Sequence, residues 1–175
     1  MVSEVVLIGS QRLRSVSEEV RSVGAKIQKL FDDMIDTMCA GKGIGLAAIQ
    51  IGVPLRMIVA NPTGFSKDLV CLVNPVVESS SGKSVMKEGC LSIPGIFSEV
   101  KRPEKISVTG INRAGKPVKM ELSGLKSRII QHEIDHLNGK LFIDYLSIVK
   151  KIYLYPKIYR IKKTGRSPKG TGSNL

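Results

Sequence analysis

Gln131-His132-Glu133-Ile134-Asp135-His136-Leu137-Asn138-Gly139 contains both histidines of the chain, four residues apart. Four residues is about one turn of α-helix, so on a helix both imidazoles project from one face. A glutamate directly follows the first histidine. This is the H-E-x-x-H pattern, in which two ring nitrogens ligate a divalent metal and a carboxylate stands beside the metal's water. The flanks fit a helix, with Gly124 at its entry and Gly139 as a C′ stop. At about 100° per residue, Leu125, Ile129, His132 and His136 share a face, and Ile130, Ile134 and Leu137 lie roughly opposite. Both sides carry apolar residues, so the helix is expected to be buried on two sides and to serve as a rigid platform. Paired histidines at this spacing also occur as ordinary surface residues, and two ligands do not complete a site. A catalytic centre needs three protein ligands and an open position.

Composition sets the frame. The 175 residues fit one domain with a sizeable core, and hydrophobic and charged contents of 42% and 24% are those of an ordinary globular protein. No apolar run reaches the roughly 18–20 residues of a membrane span, so no membrane partner is expected. Met1-Val2-Ser3-Glu4 does not open a signal peptide. Cys39, Cys71 and Cys90 are odd in number and have no framework spacing, which suits a reducing cytoplasm, with thiols free or ligating metal. Eight of the 27 basic residues, and none of the 15 acids, fall in 150–175. Without that segment the net charge drops from +12 to +4.

Outward from the central helix, residues 17–38 show a helical stripe of Ile27, Leu30, Phe31, Met34, Ile35 and Met38. Ser17-Glu18-Glu19 reads as its start, and Gly41 and Gly43 end it. The glycines of 43–50 lack a phosphate-loop or dinucleotide pattern and read as a tight extended segment. Residues 55–60 and 69–73 are β-rich, broken at Asn61-Pro62 and Asn74-Pro75. Residues 78–84 read as a polar turn. Residues 105–111 and 117–122 flank Asn112-Arg113-Ala114-Gly115, a hairpin signal. The fold class is α+β: antiparallel strands packed around a central metal-binding helix.

Cys90 is the candidate third ligand, because a thiolate binds zinc or ferrous iron strongly. Taken alone it would read as a small buried hydrophobe. Three stretches change that reading: Gly-Ile-Gly-Leu-Ala-Ala-Ile-Gln at 43–50, Glu-Gly-Cys-Leu-Ser at 88–92 and Gln-His-Glu-Ile-Asp-His at 131–136. In order and spacing they resemble the three signature motifs of peptide deformylases, and the resemblance spans residues 44–146. It implies a hydrolase that removes the N-formyl group from the initiator methionine of new proteins. It implies a catalytic domain over 1–147, and leaves 148–175 as a basic tail, part helical and then disordered. It implies one divalent metal, typically Fe(II) with zinc, nickel or cobalt able to replace it, held by Cys90, His132 and His136. Glu133 would be the general base, and Gln50 and the Leu91 backbone N–H would face the oxyanion. Ile44, Leu125 and Ile129, with Met86, would line the methionine pocket. Gly45 and Gly89 would pair with substrate main chain, and Arg102 would contact it. In some relatives an apolar residue stands where this chain has Arg128.

Two rivals remain at this stage. One is a zinc metallopeptidase with a carboxylate as third ligand, since no third histidine exists. The other is a basic RNA- or ribosome-binding protein. The partners expected are formyl-Met nascent peptides, with ribosome contact through the basic tail.

Overall fold

Strand β2 (Met57–Ala60) is buried on both faces, and this sets the layering of the molecule. The computed structural model describes residues 1–164. Met57 and Val59 point to one side, where they meet Phe31, Met34 and Met38 of helix α1 (Ala25–Ala40). Ile58 and Ala60 point to the other, where they meet Ile129, Ile130, Ile134 and Leu137 of helix α2 (Gly124–Leu137). The period-two alternation of a strand sends successive residues to opposite faces, so a central strand with a helix on each side reads as a continuous apolar run.

The main sheet is antiparallel, in the order β1 (Gly45–Ala47), β2, β3 (Val70–Ser81), β6 (Lys105–Asn112), β7 (Pro117–Ser123). A separate hairpin joins β4 (Ser84–Cys90) to β5 (Ile93–Arg102). It packs through Ile93, Ile96 and Val100 on the 3₁₀ turn Phe142–Tyr145 and on α3 (Ile148–Thr164). The α+β architecture, with antiparallel strands around the helix that carries both histidines, is as the sequence implied.

Three details differ from the sequence reading. Helix α1 starts at Ala25, after an extended Gly24, and not near Ser17. Residues 17–18 are held extended because their backbone is used elsewhere: Ser17 N–H donates to Leu137 O at 2.8 Å, and Glu18 N–H to Pro54 O at 2.7 Å. Strand β3 does not break at Asn74-Pro75 but bulges there, with Asn74 at φ 50°, and runs on to Ser81 through residues read as a turn. The β4–β5 hairpin was not foreseen. Its burial pattern is irregular, and its second half mixes glycine, proline and charge.

The first part of the basic tail is helix α3, which seats Leu154, Ile158 and Ile161 in the hairpin's core beside Ile8, Leu141 and Phe142. The disorder expected after it lies outside the described residues.

Candidate metal centre

Helix α2 delivers His132 and His136 with ring centroids 5.0 Å apart and planes at 75°. The end of β4 delivers Cys90, whose Sγ lies 3.2 Å from His136 Nε2. One ligand atom from each of the three residues lies within 4.8 Å of the other two. Glu88 and Cys90 are two apart on one strand, so both side chains turn toward α2. Gly89 between them turns away and lies under the Phe97 ring. A Cβ there would stand 2.5 Å from Phe97 Cε1.

Glu88 organises the buried side of the cluster. Its Oε2 accepts from His132 Nδ1 at 2.9 Å, which leaves His132 Nε2 to face Cys90 and His136. Arg102 donates to both Glu88 oxygens, at 2.7 and 3.0 Å, and to Asp135 Oδ2 at 2.6 Å. Burial pushes the Glu88 carboxyl up, but His132 and Arg102 outweigh it and hold it well below the ordinary range. A carboxylate behind a ligating histidine fixes its tautomer and ring orientation. The sequence reading quoted Glu88 inside a motif without giving it a role. The signal was there: a ligand histidine needs an acceptor for its other ring nitrogen, and an acid stands two residues before the ligand cysteine.

Arg102, expected to contact substrate, lies behind the ligands in the structure. The Arg102 side chain is only 3% exposed, and its guanidinium pairs with Glu88 and Asp135 and lies 4.8 Å from the Tyr145 ring. A guanidinium buried and paired in this way orients the groups behind the ligands.

On the other side, Glu133 is buried with its Oε2 unpartnered among the described residues. Its Oε1 lies against Gly45, where a side chain would collide with it and would stand 2.7 Å from Ile129 Cγ2. Burial pushes the Glu133 carboxyl up to about 7, against the pull of His132 and Arg102. Gln50 lies in the 3₁₀ turn Ala48–Ile51 after β1. Its Oε1 accepts from Ala47 N–H at 2.8 Å, which turns its amide nitrogen toward Cys90 Sγ, 3.4 Å away, and Ser92 Oγ, 3.2 Å away. Leu91 forms the turn after Cys90, and its side chain seats against Gly41 and Gly43. A Cβ at Gly43 would come within 2.9 Å of it. The glycines of that loop therefore serve close approach, as the sequence suggested. Ile44, next to Gly45, and Leu125, in the first turn of α2, are exposed apolar residues, and Ile129 is buried against Gly45. Met86 lies on β4 and is not among the apolar residues that pack with Ile129, Ile130, Ile134 and Leu137 of α2.

The donors fit a metal. Burial and the neighbouring His132 push His136 well below its usual range, so its ring is neutral, as a ligand must be. Burial also works downward on His132, but its hydrogen bonds to Cys90 and Glu88 outweigh it and raise it well above its usual range, so metal binding at this ring must displace a proton. One thiolate and two imidazoles suit zinc or a first-row transition metal better than magnesium or calcium.

Comparison with known proteins agrees with this geometry. The family model described as polypeptide deformylase matches residues 2–151. A peptide deformylase of Rhizobium meliloti is 45% identical over 166 residues, covering 93% of this chain and 95% of that protein. The crystal structure of a peptide deformylase from Legionella pneumophila superposes with a TM-score of 0.89 at 40% identity, covering 96% of this chain and 100% of the other. One from Ehrlichia chaffeensis, in complex with actinonin, gives 0.85 at 40% identity, with 95% and 99% covered. With the Cys90–His132–His136 cluster inside the matched span, this chain belongs to the polypeptide deformylase family, the metal-dependent hydrolases that remove the N-formyl group from nascent peptides.

Proposed function

We propose that Cys90, His132 and His136 hold the catalytic metal of this deformylase, that Glu133 is its general base, and that Gln50 and the Leu91 backbone N–H stabilise the oxyanion. The observation that carries this reading is the convergence of three ligand atoms within 4.8 Å, with a buried, unpartnered carboxylate one residue from the first histidine.

When bound, the metal supplies Lewis-acid activation of water and of the formyl carbonyl near neutral pH. Glu133 takes the proton of the water whose oxygen attacks the formyl carbon. Gln50 Nε2 and the Leu91 N–H donate to the oxygen that gains the charge, and a donor of this kind contributes about 2.7–4 kcal/mol in the transition state. As the C–N bond breaks, Glu133 delivers the proton to the amine nitrogen, and formate and a free N-terminal methionine leave. Ile44, Leu125 and Ile129 receive the methionine side chain. Gly45 and Gly89 flank the substrate main chain, which adds as a strand. Arg102 acts behind the ligands, through Glu88 and Asp135.

The ion is Fe(II) in this reading, and the enzyme works in the cytoplasm. No helix among the described residues is long and apolar enough to cross a membrane. The test is hydrolysis of a formyl-Met peptide by anaerobic, iron-loaded protein, with Cys90→Ala alongside. Activity and metal should both vanish in the variant. Full metal retention would favour a carboxylate-liganded peptidase instead. A ferrous, thiolate-ligated site should also lose activity in air and be protected by nickel.

Ribosome contact through α3 is favoured by the helix's outward face. Ile148, Ile152, Tyr155 and Tyr159 are exposed there, the two tyrosine rings stack at 6.1 Å, and Lys151, Arg160, Lys162 and Lys163 lie alongside. Such a face suits a polyanion with stacking surfaces. Co-sedimentation with ribosomes should fall steeply with salt and with Arg160→Glu plus Lys163→Glu. Unchanged binding by that variant would remove α3 as the docking element.

A further inference from the structure

We infer that Arg128 is a positioning residue of the metal centre: it couples the helix that carries the two histidines to the hairpin that carries the cysteine. This rests on the reading that Cys90, His132 and His136 hold a metal. Arg128 lies on α2 one turn before His132, and its side chain is 4% exposed. Its Nη1 donates to Glu88 Oε1 at 2.8 Å and to Val100 O at 2.8 Å. Its Nη2 donates to Ser84 O at 2.9 Å and Ser84 Oγ at 2.7 Å. Those acceptors lie on both strands of the β4–β5 hairpin: Ser84 and Glu88 on β4, Val100 on β5. The hairpin pairs with no strand of the main sheet, so side-chain bonds such as these fix its place relative to α2. Cys90 lies on the hairpin and both histidines lie on α2. The bridge therefore sets how far the sulfur stands from the two ring nitrogens.

Arg128 also completes the environment of Glu88. Oε1 receives Arg102 Nε and Arg128 Nη1, and Oε2 receives Arg102 Nη2 and His132 Nδ1. With four donors the carboxylate has no freedom to turn, so neither does the His132 ring it holds. Stability alone does not account for the arginine. Its Nε is buried without a partner, and a buried ion-pair network is often matched or bettered by apolar side chains of similar volume. What an apolar residue cannot supply is a planar fork that reaches Glu88 and the hairpin backbone together.

The experiment compares wild type, Arg128→Lys and Arg128→Met, each loaded with Co(II) and then challenged with a chelator. Lysine keeps the charge but reaches only one side of the bridge. If Arg128 positions the ligands, both variants release metal about 10–100-fold faster than wild type, the range typical of groups behind metal ligands. Both also show a shifted or weakened thiolate-to-cobalt absorption band. Thermal unfolding of the metal-free proteins serves as the control that a merely structural role would move. Wild-type release and spectra in both variants, with only metal-free stability changed, would overturn the inference. So would full rescue by lysine, which would make charge alone sufficient. Wild-type protein that takes up no metal, or Cys90→Ala that keeps it, would instead sink the ligand assignment on which the inference rests.

Discussion

Gly45 and the carboxylate of Glu133 are in contact, with no room between them for a side chain at residue 45. The glycine is not there for an unusual backbone conformation, since its φ is not positive. It is there because β1 must pass directly over the buried acid. Gly45→Ala should therefore push Glu133 and Ile129 aside. A displacement of about 1 Å at a catalytic group can cost about 10²-fold, so kcat/KM on a formyl-Met peptide should fall by that order while metal content stays near wild type. Loss of the metal along with the activity would show that β1 supports the ligands and not the base.

Glu133→Gln keeps the shape and removes the proton acceptor. Metal stoichiometry should be unchanged and turnover should fall about 10²–10⁴-fold. Wild-type turnover would reject Glu133 as the base.

The centre was legible in sequence because its chemistry is local: His132, Glu133 and His136 lie within one helical turn, and Cys90 and Gln50 stand in short motifs. The central helix and the β6–β7 hairpin were legible too, from clear periodicity and turn residues. The β4–β5 hairpin was not, because its alternation is broken by Gly89, Pro94 and Gly95 and its ends are polar. Ser17-Glu18 misled for a tertiary reason. Its capping signal is outweighed by backbone hydrogen bonds to Leu137 and Pro54, distant partners that no local pattern reveals. The network around Arg102 was not foreseen for a similar reason: an isolated arginine between strands gives no hint that two acids and a tyrosine converge on it.

Glu88 holds one ligand and is the shared acceptor of two buried guanidiniums. Glu88→Ala leaves Arg102 and Arg128 without their shared acceptor, and breaking a buried pair on one side typically costs about 3–5 kcal/mol. Metal affinity should fall about 10–100-fold as His132 loses its orientation. Thermal melts and chelator competition measure the two effects separately. Glu88→Gln, which keeps one acceptor oxygen, should lose less of each.

Acid stability should depend in part on Asp144. Burial works upward on its carboxyl, but Arg14, 2.5 Å away, and the Leu141 N–H outweigh it and hold it below the ordinary range. A group lowered in the folded state adds stability above its unfolded pKa, and that stability is lost as pH falls through the folded value. The pair is more than a third exposed, so solvent screening limits it to about 0.2–1 kcal/mol. Asp144→Asn should be less stable than wild type at neutral pH, and the gap should close in acid, below the folded pKa. A gap that is constant from pH 7 to strongly acidic conditions would show that the pair contributes nothing through ionisation.

Helix α3 follows the last residue assigned to the centre, and on that ground alone its removal would spare activity on free peptides. The packing argues otherwise. Leu154, Ile158 and Ile161 are buried with Ile96 and Val100 of the hairpin, and Cys90 packs against the same cluster. Fully burying each such side chain contributes about 1.5–3 kcal/mol, partly offset by the entropy of ordering the helix. Cutting the chain after Ser147 would expose that surface and loosen the element that carries the sulfur ligand. Point variants separate the two faces of the helix. Ile161→Ala, at a fully buried position, should cost about 2–5 kcal/mol. Tyr159→Ala, on the exposed face, should stay within about 0.5 kcal/mol and leave peptide hydrolysis unchanged. Equal, small effects of both on the melting temperature would mean that α3 is a detachable tail after all. A large loss at Ile161 alone establishes that its inner face belongs to the catalytic core and only its outer face is available to partners.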